Sequence, residues 1–340
     1  MSSSLRKFLI TRFIMTIPMV LIMVSLVFFI MRVLPGDPIR SQLGPRVSEE
    51  QADRIRERLG LNDPITVQYI NYLKDMVTFN FGNALTRGER LIKDELGERL
   101  PATIELTIPA MLFTSLFGIG LGASAAMNRK KFIDYCIRVF SVLIYSIPIF
   151  FLGLVFQIVF GVRLDLLPLS GRMNPVIMTR FNSITNFYVL DSILTQDWEA
   201  LKSSLLHLIM PSITLGLALT GVFIRLTRVN MIEMLKSDFI TAGRARGIPE
   251  KQLAYKHALR NTFIPIMTLI GLQMAILIAG AVLTETTFSW PGMGRYLVDR
   301  IALRDYTAVQ STIAVFAFFV AIISLLMDIL YALVDPRIRY

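Results

Sequence analysis

Charge is what this 340-residue chain has least of: 18% of its residues are Asp, Glu, Lys or Arg, while 54% are apolar. Soluble domains carry about a quarter charged residues, so a lipid-embedded chain is the first expectation. Cysteine occurs once, at Cys136, which excludes a disulfide framework or cysteine cluster and leaves the redox compartment open. The two histidines, His207 and His257, are far apart and with one cysteine make neither a metal ligand set nor a catalytic triad. The chain has no Gly-x-x-x-x-Gly-Lys-Ser/Thr phosphate loop, so it is not expected to bind ATP itself. Repeats of 20 to 50 residues and low-complexity segments are missing too.

Six stretches lack charge altogether: Phe13 to Met31, Leu106 to Met127, Val139 to Val162, Leu205 to Ile224, Phe263 to Thr284 and Ala308 to Met327. Each approaches or exceeds the roughly 20 residues that a helix needs to cross hydrocarbon. The first follows Arg6, Lys7 and Arg12, as a secretory signal would. Its apolar run is too long for a signal core, and Pro35-Gly36-Asp37-Pro38 follows rather than a small-residue cleavage site, so a retained helix is expected.

With six spans, both termini share one side of the membrane. That side carries seventeen Lys and Arg; the other carries seven once the long first loop is set aside. The positive-inside rule then places both termini in the cytoplasm. Six acidic residues lie on the cytoplasmic side and nineteen on the other, so the basic isoelectric point describes one face. Charge placed at helix ends beside a bilayer suits anionic lipid headgroups rather than nucleic acid.

Residues 35 to 104 form an extracytoplasmic insert. Ser48 and Gln51 have capping-box spacing ahead of a charged surface helix from Glu49 to Leu59. Asp63-Pro64 makes a turn, after which Ile70, Leu73 and Val77 recur at helical spacing, predicting an amphipathic helix on the bilayer or on a neighbour. Residues 163 to 202 read as a small outer lobe. Pro18, Pro109, Pro148, Pro211 and Pro265 fall in or beside spans, where they can kink them. Gly118 and Gly122 have the spacing that lets helix backbones approach closely, within the chain or at a subunit contact.

Ion-coupled carriers station ionisable side chains near the midplane. Here Glu105, Arg138, Glu285 and Asp328 lie at the edges of spans, His207 near an outer end and His257 in a cytoplasmic loop. Gln157 and Gln273 lie inside spans and are candidates for lining a polar path or for bonding between helices. The seventeen methionines fall mostly in apolar runs, where filling gaps explains them better than a metal path.

The cytoplasmic loop 225 to 262 contains Asp238-Phe239-Ile240-Thr241-Ala242-Gly243-Arg244-Ala245-Arg246-Gly247-Ile248-Pro249. Ser237 is placed to cap a short helix to about Arg246, Gly247 permits a reversal, and Pro249 suits the first turn of a second helix. Such a knob has small residues, Ala242, Gly243 and Ala245, that another protein can approach. Arg244, Arg246, Lys251 and Lys256 surround them.

Thr241-Ala242-Gly243 followed by Gly247, and His257-Ala258-Leu259-Arg260-Asn261 after it, resemble the coupling loop of ABC importer permeases. The form is that of the dipeptide, oligopeptide and nickel branch, first permease subunit. Gly243 is an extra small residue relative to that branch, and the leading Glu of the common loop is missing. The resemblance extends to Pro35-Gly36-Asp37-Pro38, Leu59-Gly60-Leu61, Phe81-Gly82, Arg99-Leu100-Pro101-Ala102-Thr103, Glu285 through Gly294, Arg304-Asp305-Tyr306 and Asp335 through Arg339. Asn80 and Asn83 depart from it.

The resemblance implies an all-α integral membrane protein with the six-helix type I ABC importer permease fold. Residues 1–100 would hold the first helix and the insert, and residues 101–340 a five-helix core with the coupling loop. It also implies a multi-pass location in the cell inner membrane and passage of di- or oligopeptides. Partners would be a second homologous permease, two cytoplasmic ATPases that carry ATP and Mg, and an extracytoplasmic peptide-binding protein. The chain itself would be a permease subunit, neither an enzyme nor the holder of a cofactor. Residues Asp238, Thr241, Ala242, Gly243, Arg244, Ala245, Arg246, Gly247, Ile248 and Pro249 would meet an ATPase. A permease for nickel complexes, glutathione or another small solute is the alternative within the family, and an ion-coupled carrier or channel the alternative outside it.

Overall fold

In the computed structural model, which describes residues 3–33, 48–58, 60–83 and 90–334, every regular element is helical. Helix α1, Ser3–Val33, is the first span. Two helices of the insert follow, α2 (Glu49–Arg58) and α3 (Ile65–Thr78). The core contains α4 (Ile92–Met127), α5 (Phe132–Ser146), α6 (Ile149–Phe156) and, after the outer helix α7 (Tyr188–Leu194), the long α8 (Trp198–Met234). The short α9 is Asp238–Ala245, and α10 (Leu259–Gly280) is the next long apolar helix. The short α11 (Val282–Thr287) and α12 (Met293–Ala302) form the last outer loop before α13 (Tyr306–Val334).

Among the described residues five helices are long and apolar enough to cross a membrane, and α5 with α6, bent by 101°, brings the number to six if the pair is one broken span. The kink that Pro148 allows is therefore a sharp corner in the third apolar run. Pro148 lacks an N–H and disfavours helix at the residue before it, and Ile147 is extended, with ψ 126°. Beyond the corner, α6 continues as a π-helical segment, Gln157–Arg163. The other four prolines lie within or beside helices that run through them.

At the centre α4 lies against α8, backbone close to backbone. A Cβ on Gly118 would stand 2.4 Å from Cβ of Phe223, and one on Gly122 would stand 2.6 Å from Cβ of Thr227. The small-residue spacing thus serves packing within the chain. Thr114 donates to the carbonyl of Gly216 at 2.7 Å, a hydroxyl bond between helices where lipid offers no alternative partner. Leu106, Ala110, Leu215, Phe223 and Trp290 fill the surrounding core.

The insert meets expectation in part. Gln51 N–H donates to Ser48 Oγ at 3.3 Å and opens α2. In α3, however, Ile70 and Val77 are exposed, and the packed face is Tyr69, Tyr72, Leu73 and Met76 against Val24 and Phe28 of α1. Aromatic area decides the orientation: Phe28 stacks near both Tyr69 and Tyr72, at 5.3 Å each, and Ser25 and Tyr69 share a hydroxyl bond of 2.6 Å. The sequence motifs at residues 35–38 and 335–339, and Leu59, lie outside the described residues.

Candidate functional site

The knob at residues 238–249 is built on a helix stop. α9 ends at Ala245, and Gly247 adopts φ +77°, a conformation that costs any residue with a Cβ. Its N–H donates to Arg244 O at 2.9 Å, and the Ile248 N–H donates to Gly243 O at 3.1 Å. These two bonds make the Schellman closure that satisfies the last carbonyls of a helix. The expected capping differs at both ends. Ser237 stands at the N-cap, but its hydroxyl donates to Met234 O at 2.5 Å instead of serving α9. Pro249 stands just before the turn Glu250–Gln252 rather than inside it.

Across Gly247 the two arms are tied by charge, Arg244 Nε to Glu250 Oε1 at 2.6 Å and the second guanidinium nitrogen to Oε2 at 3.3 Å. Asp238, Phe239, Thr241, Ala242, Ala245, Arg246 and Pro249 are exposed, while Ile248 is half-buried. Gly243 alone among the small residues turns inward, buried beside Leu253. The knob rests on a buried base formed by Ala123 and Ala126 of α4, Met231 of α8, Ile240 of α9, and Leu253, Ala254 and Ala258 beyond the turn. Its outer face therefore stands on the ends of two long helices, α4 and α8.

One ion pair near this base was not visible in the sequence. Asp134, at the start of α5, is buried and receives Arg228 of α8 through two bonds, 2.7 and 2.9 Å, and the Lys130 N–H at 3.1 Å. The available signal was an acidic residue in a basic loop at the first turn of an apolar helix.

The outer face is held by buried carboxylates. Glu105 bonds Arg172 of the outer lobe and accepts the Val189 N–H at 2.7 Å, with the Arg172 guanidinium 3.8 Å from the Tyr188 ring centre. Glu285, fully buried, accepts from Thr103 Oγ1 at 2.7 Å and from the Arg295 N–H at 2.8 Å. Burial pushes its carboxyl up, and these hydrogen bonds oppose the rise. A Cβ on Gly292 would fall 2.1 Å from Glu285 Oε1, so the motif's glycine is where the carboxylate must lie. Trp290 donates its indole N–H to Ala102 O at 2.8 Å. In the lobe, burial raises the Asp191 carboxyl, but bonds from Thr185, Ser183 and the Ile184 N–H outweigh it, and its pKa falls below the ordinary 3.8.

Of the two glutamines, Gln157 gives its amide N–H groups to Leu169 O (2.8 Å) and Thr287 O (3.1 Å), tying the π-helical segment to the lobe and the outer loop. Gln273 is buried in α10. His207 is buried, its Nδ1 2.7 Å from Ser203 O. Among the described residues, no group of three His, Cys, Asp or Glu side chains is placed to hold a metal. The arrangement joins long helices, an exposed knob and loops braced by buried ion pairs and hydrogen bonds.

Known proteins match this arrangement along the chain. Residues 118–340 match the family described as binding-protein-dependent transport system inner membrane component, and residues 5–107 match its N-terminal companion. The dipeptide transport system permease protein DppB of Alkalihalophilus pseudofirmus is 40% identical over 97% of this chain and 98% of its own length. The DppB of Escherichia coli K12 is 34% identical over 98% and 99%. A solved chain of the MetNI methionine ABC transporter in an inward-facing conformation shares the fold, with a TM-score of 0.51 and 13% identity over 69% of this chain and 93% of that one. The chain belongs to the family of inner-membrane components of binding-protein-dependent transport systems, as a multi-pass permease subunit of an ABC transporter rather than an enzyme.

Proposed function

We propose that this chain forms half of the membrane pathway of a di- or oligopeptide importer, driven by separate ATPases through residues 238–249. The observation that carries the reading is the exposed small-residue face of α9, Thr241, Ala242 and Ala245, standing on a base shared by α4 and α8. The relatives named as dipeptide permeases, at 34 to 40% identity over nearly the whole chain, supply the substrate class.

A zwitterionic peptide needs such a path, since one charged side chain at the bilayer centre costs about 2.5 to 3.5 kcal/mol on the insertion scale. The path lies between this chain and a second permease of similar fold, and Gln273 and Gln157 are the candidates to line it. Both termini are cytoplasmic. Two cytoplasmic subunits bind ATP and Mg, and their closure draws the knobs together and tilts the spans, biasing a two-state element. An extracytoplasmic binding protein delivers peptide to the outer lobe and insert. We keep residues 1–100 and 101–340 as a functional division, although α4 runs through the boundary.

A second reading, glutathione as the solute, is favoured by one relative. The glutathione transport system permease GsiC of Salmonella choleraesuis is 33% identical over 98% of this chain.

The test is Gly247→Pro in the assembled transporter in proteoliposomes. At φ +77° proline cannot take the position, and it removes the N–H given to Arg244. Membrane insertion is expected to persist while peptide uptake and binding-protein-stimulated ATP hydrolysis are lost. Retained uptake would count against the coupling role, and uptake by the purified chain without ATPases would return it to the carrier class. Competition between labelled dialanine and glutathione separates the two solutes.

A further inference from the structure

Gly243 is the one small residue of the knob that does not face outward. A Cβ there would lie 2.5 Å from Leu253 Cδ2, and Leu253 is itself 1% exposed. Leu253 opens a π-helical segment, Leu253–Ala258, which runs directly into α10. A π turn carries one residue more than the α-helix around it, and such segments are found where a helix changes register or does work. The knob's outer arm thus touches the fifth span at the irregular turn where that span begins.

We infer that Gly243 and Leu253 form the contact through which the cytoplasmic knob moves α10, the missing side chain at 243 seating Leu253 so that α9 and the π-helical segment travel as one body. The Arg244–Glu250 pair and the Schellman closure hold the same two arms on the solvent side. Three ties therefore surround Gly247, and the sharp turn does not act as a hinge. Displacement of the knob passes into the first turns of α10 instead, where the π segment is the irregular turn able to absorb a change of register. This rests on the coupling reading above and adds the contact by which it works: Gly243 and Leu253 are positioning residues.

The experiment is a double-mutant cycle in the full transporter, reconstituted with its ATPases and binding protein. Gly243→Ala drives a methyl into Leu253 and is expected to lower binding-protein-stimulated ATP hydrolysis roughly fivefold or more, while the ATPases still co-purify. Leu253→Ala alone leaves a gap and lowers it as well. The pair Gly243→Ala with Leu253→Ala removes the clash and fills part of the gap, and recovery of most of the stimulation supports the contact; a purely destabilising pair would give additive losses. Normal stimulation in Gly243→Ala, or a double variant no better than Gly243→Ala, overturns the inference. If Gly243→Ala fails to insert, Leu253→Ala decides alone: normal stimulation in it overturns the contact. Ala242→Trp, on the exposed face, separates this from the parent reading. Loss of ATPase co-purification there upholds the coupling reading whatever the cycle gives, and retention sinks both.

Discussion

Arg228 grips Asp134 with two nitrogens, Nε at 2.7 Å and a terminal nitrogen at 2.9 Å, and so joins the first turn of α5 to α8. Ninety-four positions separate them in the chain. The Asp134 side chain is 1% exposed and the Arg228 side chain 20%, so the acid depends on the base more than the reverse. Arg228→Met is expected to leave a buried carboxylate short of its main partner and to cost about 3 kcal/mol. Thermal unfolding of the detergent-purified transporter followed by tryptophan fluorescence checks it, and an unchanged midpoint would mean that Arg138, 3.5 Å away, suffices.

A second prediction concerns the outer loop. Thr103 Oγ1 donates to Glu285 and accepts the Met293 N–H at 2.8 Å, one hydroxyl serving two buried groups. Thr103→Val keeps the shape and strands both, for a loss of about 1 to 3 kcal/mol. Thr103→Ser should recover most of it. Hydrogen exchange of the Met293 amide gives the local readout.

The outer lobe should soften in acid. The Asp191 carboxyl is held below its ordinary value by bonds that only its ionised form accepts fully. Its folded pKa lies under the unfolded one, so its stabilisation is complete above the unfolded value of 3.8 and is lost as pH falls through the folded value. Limited proteolysis of residues 183–191 should therefore accelerate below about pH 4 in the wild type. Asp191→Asn should cleave faster at neutral pH and show a flatter acid dependence.

Close packing of α4 on α8 predicts a contrast between neighbouring glycines. Gly118→Val would press on Phe223 and is expected to cost about 1 to 3 kcal/mol by overpacking. Gly120→Ala, where an added Cβ meets nothing within 4 Å, should be neutral or slightly stabilising. Equal melting points for the two variants would refute the assignment of this face.

Much of the fold was legible because lipid imposes a length test on apolar runs: five of the six lie in helices long and apolar enough to cross a membrane or in the bent pair, and the fifth, Phe263 to Thr284, runs four residues past the end of α10. Gly247 was legible for a similar reason, as a glycine between two helix signals has few uses. The corner at Pro148 was harder, because proline occurs in four other apolar runs that stay helical and only tertiary packing tells them apart. Gly243 was misread as part of the approach face: its identity reveals a close contact but not on which side. The Glu105–Arg172 and Glu95–Arg300 pairs join residues 67 and 205 positions apart. No local pattern records such a separation. Tyr69 and Tyr72 set the face of α3 because aromatic area outweighed the aliphatic stripe of Ile70 and Val77.

The right-angled turn between α5 and α6 limits what can surround it. Fifteen residues of α5 rise only about 22 Å, short of the roughly 30 Å of hydrocarbon, so α5 cannot cross by itself. The closing carbonyls of α5 find no continuing helix there, apart from Leu143 O, which takes the Ile147 N–H at 3.2 Å. Acyl chains offer no donors to such oxygens. Set at hydrocarbon depth, such an elbow would have to face polypeptide or a water-filled recess, in a sector that fatty tails do not wet.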